Sequence, residues 1–375
     1  MYYIGDEEIK ALKELFERKK LFRYQVNTQS ECDFFETEFS QYLGTQRSLL
    51  LTSGTNALIL ALRAAAIGAG DEVLIPAYTF VATAAAVLQV GATPIVVNID
   101  SKLSICCEDA KKKITTKTKA LIAVHMDGLA ANMDGIMNLS QKHNFIIIED
   151  VAQAIGGSYK TKKLGSLGLV GCYSLNENKN ISCGEGGALT TNDLKIYETA
   201  FRLHDTPVQF SPTRKESFKN TIPEIGYSMR ASEIQGTIMR VQLSRLDFII
   251  HQLNQRKTIF KDKLINLKNA TLILGHCESG DCGSSLHLCF EDIEKAHGLS
   301  QKLRAQGLAF FPVTSRPAHA VWNWMHLLPE KIEQSQFIDS IEILSRTYKM
   351  SISLDWSLEK TNEAAEATSK ILKDF

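Results

Sequence analysis

The chain has 375 residues, 44% hydrophobic and 22% charged, and its 42 basic and 42 acidic side chains cancel to a formal net charge of zero. That length exceeds one typical domain and predicts a large domain with a smaller companion. Zero net charge argues against nucleic acid or an anionic membrane as a main partner, since both need a basic excess. No N-terminal stretch joins a basic start, an apolar core and a small-residue cleavage site, and no run of about 18 apolar residues offers a membrane span, so the expected location is the cytoplasm. Eight cysteines are scattered without a C-x-x-C pair. The adjacent Cys106 and Cys107 suit neither a zinc site nor a redox motif, so reduced thiols are expected.

Up to about residue 250, short apolar runs alternate with helical stretches. Candidate strands are residues 48–52 (SLLLT), 72–76 (EVLIP), 93–99 (TPIVVNI), 120–125 (ALIAVH) and 145–150 (FIIIED). Between them lie helix candidates at 56–66, punctuated by Gly68 and Gly70, at 80–90, closed by Gly91, and at 133–143, ended by Asn144. This alternation predicts an α/β sheet that is largely parallel and covered on both faces. The stretch 205–223, polar and with three prolines, reads as a surface loop that is either functional or a plain connector. One long helix is predicted from near Ala231 past Arg256, from the recurrence of Ile234, Ile238, Val241, Leu243 and Leu246. Beyond it the pattern becomes a smaller α+β unit, with strands at 272–276 and 285–290 and a helix through 301–306. The expected division is a large domain of residues 1–248 and a small one of 249–375, with the N-terminal helix open to packing on the latter.

Three features fall where predicted strands end, the position at which open α/β sheets collect ligands. The first is SGTNALILAL, from Ser53 to Leu62. A strand runs into Ser53-Gly54-Thr55 and a helix begins at once, so its free N–H groups and dipole make an anion site; equally, Ser53 or Thr55 is a plain helix cap. The second is IIIEDVAQA, from Ile146 to Ala154, where an acid after an apolar strand is open to a metal, a ribose or a protonated pyridine nitrogen, or is a solvated strand end. No second ligand sits at metal spacing nearby, which makes a metal the weakest choice. The third is YSLNENKNISCGEGGALTTND, from Tyr173 to Asp193, with Lys179 in a polar loop ahead of Gly184, Gly186 and Gly187. Alone, that lysine reads as a solvated charge. Together the three offer a phosphate cradle, an acid for a ring nitrogen and a lysine able to form a Schiff base, which are the needs of pyridoxal phosphate. A dinucleotide-binding alternative fails because GAGDEV lacks the fingerprint spacing and follows a helix.

The blocks SGTNAL, GDEVLIPAYTFVATAAAV, GATPIVVNID, IIIEDVAQAIGGSYKTKKLGSLG, KNISCGEGGALTTND and SEIQGTIMRVQLSRLD occur in this order. In them the chain resembles the DegT/DnrJ/EryC1/StrS family of sugar aminotransferases over nearly its whole length. The resemblance implies an aspartate-aminotransferase-like (type I) fold, with pyridoxal 5'-phosphate as cofactor and glutamate as the expected donor of an amino group to a keto sugar. It implies that Lys179 carries the cofactor as a Schiff base and moves protons. Asp150 would pair with the pyridine nitrogen, Gln153 would bond the phenolic oxygen, and Phe80 would stack on the ring. Gly54, Thr55 and Ser174 would hold the phosphate. It further implies a homodimer with shared sites, in which Ser228 and Arg230 reach the neighbouring subunit's cofactor.

Two positions depart from the family pattern: Asn176 stands where many members carry His, and Ser228 where many carry Asn. Members that became sugar dehydratases have lost the lysine to His, so Lys179 favours transamination over the alternatives, a dehydratase or lyase on this fold or a catalytically silent cofactor-binding sensor. The stretches LFRY (21–24), AHAVWNWMHLL (318–328) and ILSRTYKMSISLDW (343–356) resemble a subgroup acting on larger keto sugars. That subgroup includes the 8-amino-3,8-dideoxyoctulosonate aminotransferases, whose product enters lipopolysaccharide.

Overall fold

The computed structural model describes residues 3–25, 28–205, 225–329 and 331–373; the predicted loop 205–223 lies, beyond Asp205, outside the described residues. From the N-terminus run α1 (Asp6–Arg18), α2 (Glu31–Leu43), β1 (Arg47–Leu51), α3 (Gly54–Ala64), β2 (Glu72–Pro76) and α4 (Ala82–Gln89). There follow β3 (Thr93–Val97), α5 (Cys107–Lys113), β4 (Thr118–Val124), α6 (Met133–His143) and β5 (Ile146–Asp150). A small ribbon of β6 (Ser158–Tyr159) and β7 (Lys162–Lys163) precedes β8 (Val170–Ser174), β9 (Gly187–Thr191), α7 (Leu194–His204), α8 (Glu233–Ser244) and α9 (Leu246–Leu264).

The large sheet has the order β1-β9-β8-β5-β4-β2-β3. Only β9 runs against its neighbours, β1 and β8; the remaining pairs are parallel. Apolar side chains on both faces of β2, β4 and β5 are buried under helices, which is why these strands read as unbroken Leu, Ile and Val runs.

The helices start where polar caps precede the apolar pattern. Ser53 accepts the Asn56 N–H and so starts α3 at Gly54, two residues ahead of the sequence expectation. Asn132 caps α6, and Asn144 ends it in the left-handed conformation at φ 57°. The single long helix expected from Ala231 onward is two helices. Arg245 both ends α8 and begins α9, at φ −102° and ψ −4°. Leu243 and Leu246 are buried on either side of that junction, so the apolar recurrence passes through it unbroken. Arg245 pairs there with Glu7 and Glu8, fastening α1 along α8. Strands β8 and β9, rich in Gly, Ser and Thr, have no apolar run to announce them.

The second sheet is built from β10 (Ala270–Ile273), β11 (Ser285–Phe290), β12 (Phe310–Pro312) and β13 (Thr347–Ser351) in the order β10-β11-β13-β12, all antiparallel. Strand β10 ends earlier than 272–276 implied, because the Gly275 N–H turns to the Asp281 carboxylate. Helices α10 (Ile293–Ala305), α11 (Val321–Trp324), α12 (Ile338–Ser345) and α13 (Leu358–Lys373) complete the order. Phe260 of α9, Leu299 of α10, Ala365 of α13 and Phe310 and Tyr348 of the sheet form a core separate from that of the large sheet. Helix α9 therefore runs from one unit into the other.

Candidate active site

The carboxyl ends of β1, β2, β4, β5 and β8 open onto one cavity of about 470 Å³, closed on its far side by the small sheet and the 313–319 segment. Ser53, Gly54, Thr55, Phe80, Asp150, Gln153, Ser174 and Lys179 all line it. Ser228 and Arg230 do not. They lie on a segment that pairs with the end of β1, where the Thr52 N–H donates to the Met229 carbonyl at 3.2 Å. Ser228 is exposed with φ 55°, and Arg230 forms an ion pair with Asp205 of its own chain.

At the head of α3, Ser53 is indeed a cap, its Oγ accepting the Asn56 N–H at 3.1 Å. Capping the third amide leaves those of Gly54 and Thr55 without a partner among the described residues, at the positive end of the helix dipole. The backbone is packed tightly around this turn. A Cβ on Gly54 would come within 2.9 Å of Ser174 Cβ, and one on Gly187 within 2.2 Å of the Ser53 carbonyl carbon. Two glycines thus let the β8 and β9 ends close on the anion turn.

Asp150 and Glu149 follow each other on β5 and face opposite ways, as the alternation of a strand requires. Glu149 is spent on structure, accepting the Gly165, Leu167 and Gly168 N–H groups and pairing with His125 at 3.1 Å. Asp150 faces the cavity, where the Thr83 hydroxyl donates to it at 2.9 Å and the Ala152 N–H at 3.1 Å. Burial lifts its carboxyl above the ordinary value, and these donors with the nearby charges of Lys179 and His125 offset only part of that. Such a carboxylate gains from a further cation beside it.

Lys179 lies half-buried in the loop between β8 and β9, its N–H donating to the Asn176 carbonyl at 3.1 Å. Burial lowers its ammonium from the ordinary lysine value, with Asp150 and Asp127 pulling the other way. Among the described residues its Nζ has no ion pair, so a free, nucleophilic amine is accessible at modest cost. Phe80, 45% exposed, presents its ring to the cavity with the His319 ring 5.4 Å away.

The far wall holds groups that no sequence motif marked: Asp127, Arg316, His319 and Lys349. Arg316 is exposed and has no carboxylate partner among the described residues. His319 sits with Nε2 3.5 Å from Gln153 Nε2, and burial pushes it down to about 4, so it is a neutral ring at neutral pH. Asp127 lies three residues beyond the apolar strand β4, whereas Asp150 ends β5, and an acid near the end of an apolar strand was the one local signal available for it. Of the other three, Arg316 and His319 come from the 313–319 segment and Lys349 from β13.

These residues fit pyridoxal phosphate: unpaired amides in a tight glycine-lined turn for a phosphate, a buried carboxylate for a protonated ring nitrogen, an unpaired amine between them, and an exposed ring alongside.

Comparison with known proteins agrees. The chain is 36% identical over 236 residues to the GDP-perosamine synthase of Caulobacter vibrioides, covering 63% of this chain and 62% of that protein. It is 40% identical over 215 residues to a UDP-N-acetyl-3-dehydro-alpha-D-glucosamine 3-aminotransferase of Acidithiobacillus ferrooxidans, covering 56% of each. The matched stretch thus spans less than two-thirds of these curated relatives. The aminotransferase of Psychrobacter cryohalolentis superimposes with a TM-score of 0.86 at 24% identity, over 100% of this chain and 98% of that one, which establishes the type I aminotransferase fold. The profile of the DegT/DnrJ/EryC1/StrS aminotransferase family matches residues 3–367, and the chain belongs to that family.

Proposed function

We propose that the protein is a pyridoxal-phosphate-dependent aminotransferase that moves an amino group, with glutamate as donor, onto a keto sugar. The observation that carries this reading is the placement of the Lys179 amine, unpaired and lowered by burial, in one cavity with the Asp150 carboxylate and the open amides of Gly54 and Thr55. When bound, the cofactor supplies an electron sink at its protonated ring. The chain's own part is placement and proton transfer. Gly54 and Thr55 N–H groups and the Ser174 hydroxyl hold the phosphate, and Asp150 keeps a proton on the ring nitrogen. Phe80 covers one ring face. Gln153 donates to the phenolic oxygen. The Lys179 amine would take and return the proton at the substrate carbon, a role that an ammonium lowered by burial favours.

The relatives act on sugars carried by different nucleotides, GDP in one name and UDP in another. On the far wall, Arg316 offers a guanidinium suited to an anionic group of the substrate, whether a diphosphate or a sugar carboxylate. The octulosonate-type keto sugar, with its carboxylate, belongs to this proposal, as does a product destined for lipopolysaccharide. We also assign the Ser228–Arg230 segment to a homodimer interface. It borders the anion turn yet points away from its own cavity.

The test is to supply the pyridoxamine-loaded enzyme with keto sugars of both kinds, nucleotide-linked and carboxylate-bearing. An aminated sugar supports the proposal, and a deoxygenated one replaces it with the dehydratase alternative. For the dimer, mixing inactive Lys179→Ala and Arg230→Ala subunits should restore about a quarter of the activity, since half the dimers are mixed and each holds one whole site. No recovery after proven subunit exchange places Arg230 in its own subunit's service.

A further inference from the structure

At the end of β4 the chain makes a turn that the small sheet holds in place. Asp127 is left-handed at φ 53° and ψ 24°, a conformation uncommon for residues with a side chain, though aspartate and asparagine adopt it more readily than most. Gly128 follows at φ 84°, and a Cβ there would meet Ser284 Oγ at 2.7 Å. The turn is therefore pressed against the small sheet.

Every polar group of Asp127 is engaged. Its carboxylate accepts the Tyr78 hydroxyl at 2.9 Å, lies 3.2 Å from His287 Nε2 and forms an ion pair with Lys349. Its carbonyl accepts the Ser285 hydroxyl at 2.7 Å and the Ser284 hydroxyl at 3.4 Å. Its N–H donates to Gln153 Oε1 at 3.1 Å. Burial alone would raise the Asp127 carboxyl, but Lys349 and His287 outweigh it and hold it well below the usual carboxylate range. Tyr78 belongs to the large unit, whereas Ser285, His287 and Lys349 stand on β11 and β13.

We infer that Asp127 is a positioning residue: the small sheet fixes its turn, and its N–H in turn fixes the Gln153 amide with the NH2 group facing the cavity. A primary amide has an accepting end and a donating end. Only the oxygen can meet the Asp127 N–H, so the nitrogen must take the other side. There it lies 3.5 Å from His319 Nε2; burial keeps that ring neutral, and one of its two tautomers offers Nε2 as an acceptor for the amide. If the turn relaxes, nothing else among the described residues holds Gln153 Oε1. The amide is then free to flip and present an acceptor to an electron-rich oxygen in the cavity, reversing its effect. Four side chains of the small unit thereby set the polarity of a group on the large one, and they do so only while the two units are closed on each other.

This inference rests on the proposed cofactor reading for what Gln153 faces, but not for the link between Asp127 and Gln153. The test is a double-mutant cycle of Asp127→Asn with Gln153→Ala, read by thermal unfolding of the cofactor-free protein and by absorbance titration with pyridoxal phosphate. Asparagine tolerates the left-handed conformation, so the first change removes mainly the charge that pairs with Lys349. Asp127→Asn should weaken cofactor binding about tenfold when Gln153 is present and less than about twofold when it is Ala, the non-additivity of groups that act as one. It should also move the visible absorbance maximum of the bound cofactor in the same direction as Gln153→Ala does, which a general loosening would not. Tyr78→Phe removes a single hydroxyl contact and should repeat the pattern at smaller size, in case the asparagine variant folds poorly. Equal losses in both Gln153 backgrounds would overturn the inference. If the unaltered protein binds no cofactor, the function reading fails. The unfolding cycle then decides the Asp127–Gln153 link alone, and additive changes in melting temperature would reject it.

Discussion

The cavity wall formed by the strand ends of the large sheet and the wall formed by the small unit carry similar side chains but are specified differently. On the first, each group sits on or within a few residues of the strand that aims it: Ser53 and Gly54 after β1, Asp150 on β5, Ser174 on β8. On the second, Arg316 and His319 come from the 313–319 segment and Lys349 from β13, and all three are placed by contacts with the large unit. The Ala318 and His319 carbonyls accept the Val81 and Thr79 N–H groups at 2.8 and 2.9 Å, and Lys349 pairs with Asp127. The difference teaches that the groups for the common chemistry are held locally. The groups that meet the rest of the substrate depend on how two cores dock.

If that division is right, damage to the strand-end wall should destroy chemistry, and damage to the far wall should change what is bound. The largest effect is expected for Lys179→Ala. Turnover measured with saturating cofactor should fall by more than about 10^4-fold, the upper end of what a positioned proton-transfer group supplies, because the covalent anchor is lost with it. Asp150→Asn comes next. It should keep much of the cofactor affinity and lose more than about a hundredfold in kcat, the scale of a preorganised charge interaction. Near-normal turnover would show that another acid protonates the ring.

Arg316→Gln tests the other wall. KM for an anionic substrate should rise about ten- to a hundredfold, the worth of a charge-assisted contact, with kcat changed far less. A fall in kcat at constant KM would move Arg316 into the chemistry and break the division drawn here. The smallest effect concerns pH. His319 is lowered from its ordinary value to about 4 by burial, so it contributes stability that is fully present above about pH 6.5 and is lost as pH falls toward 4. His287 titrates in the same direction, with Asp127 and Lys349 facing it. His319→Phe should therefore flatten, without abolishing, the loss of thermal stability between those pH values; an unchanged profile would place the sensitivity elsewhere.

The two walls also mark how far the amino-acid sequence can be read. Strands β2, β5 and β11 and helix α6 lie at or within a residue of where their patterns place them, because apolar runs and capping residues are local. Strands β8 and β9 are not announced, since a buried central position lets Gly, Ser and Thr serve as strand residues. The break at Arg245 is hidden because Leu243 and Leu246, on either side of it, are both buried and continue one apolar recurrence. In the site, Glu149 and Asp150 look alike in sequence. What separates them is which face of β5 meets the cavity, a property of the sheet and not of the strand. For Arg316, His319 and Lys349 no local pattern exists, because nothing in their own segments records that the cavity lies opposite.

The central claim, that Lys179 is the residue that carries the cofactor, has a direct measurement. The protein is saturated with pyridoxal phosphate, reduced with borohydride, digested, and its labelled peptide sequenced. One dominant label is expected, on Lys179 in the SLNENKNISCGEGG segment, with a yellow protein that loses its colour on reduction. A label on Lys349, the other lysine lining the cavity, or on any lysine outside it, would contradict the account.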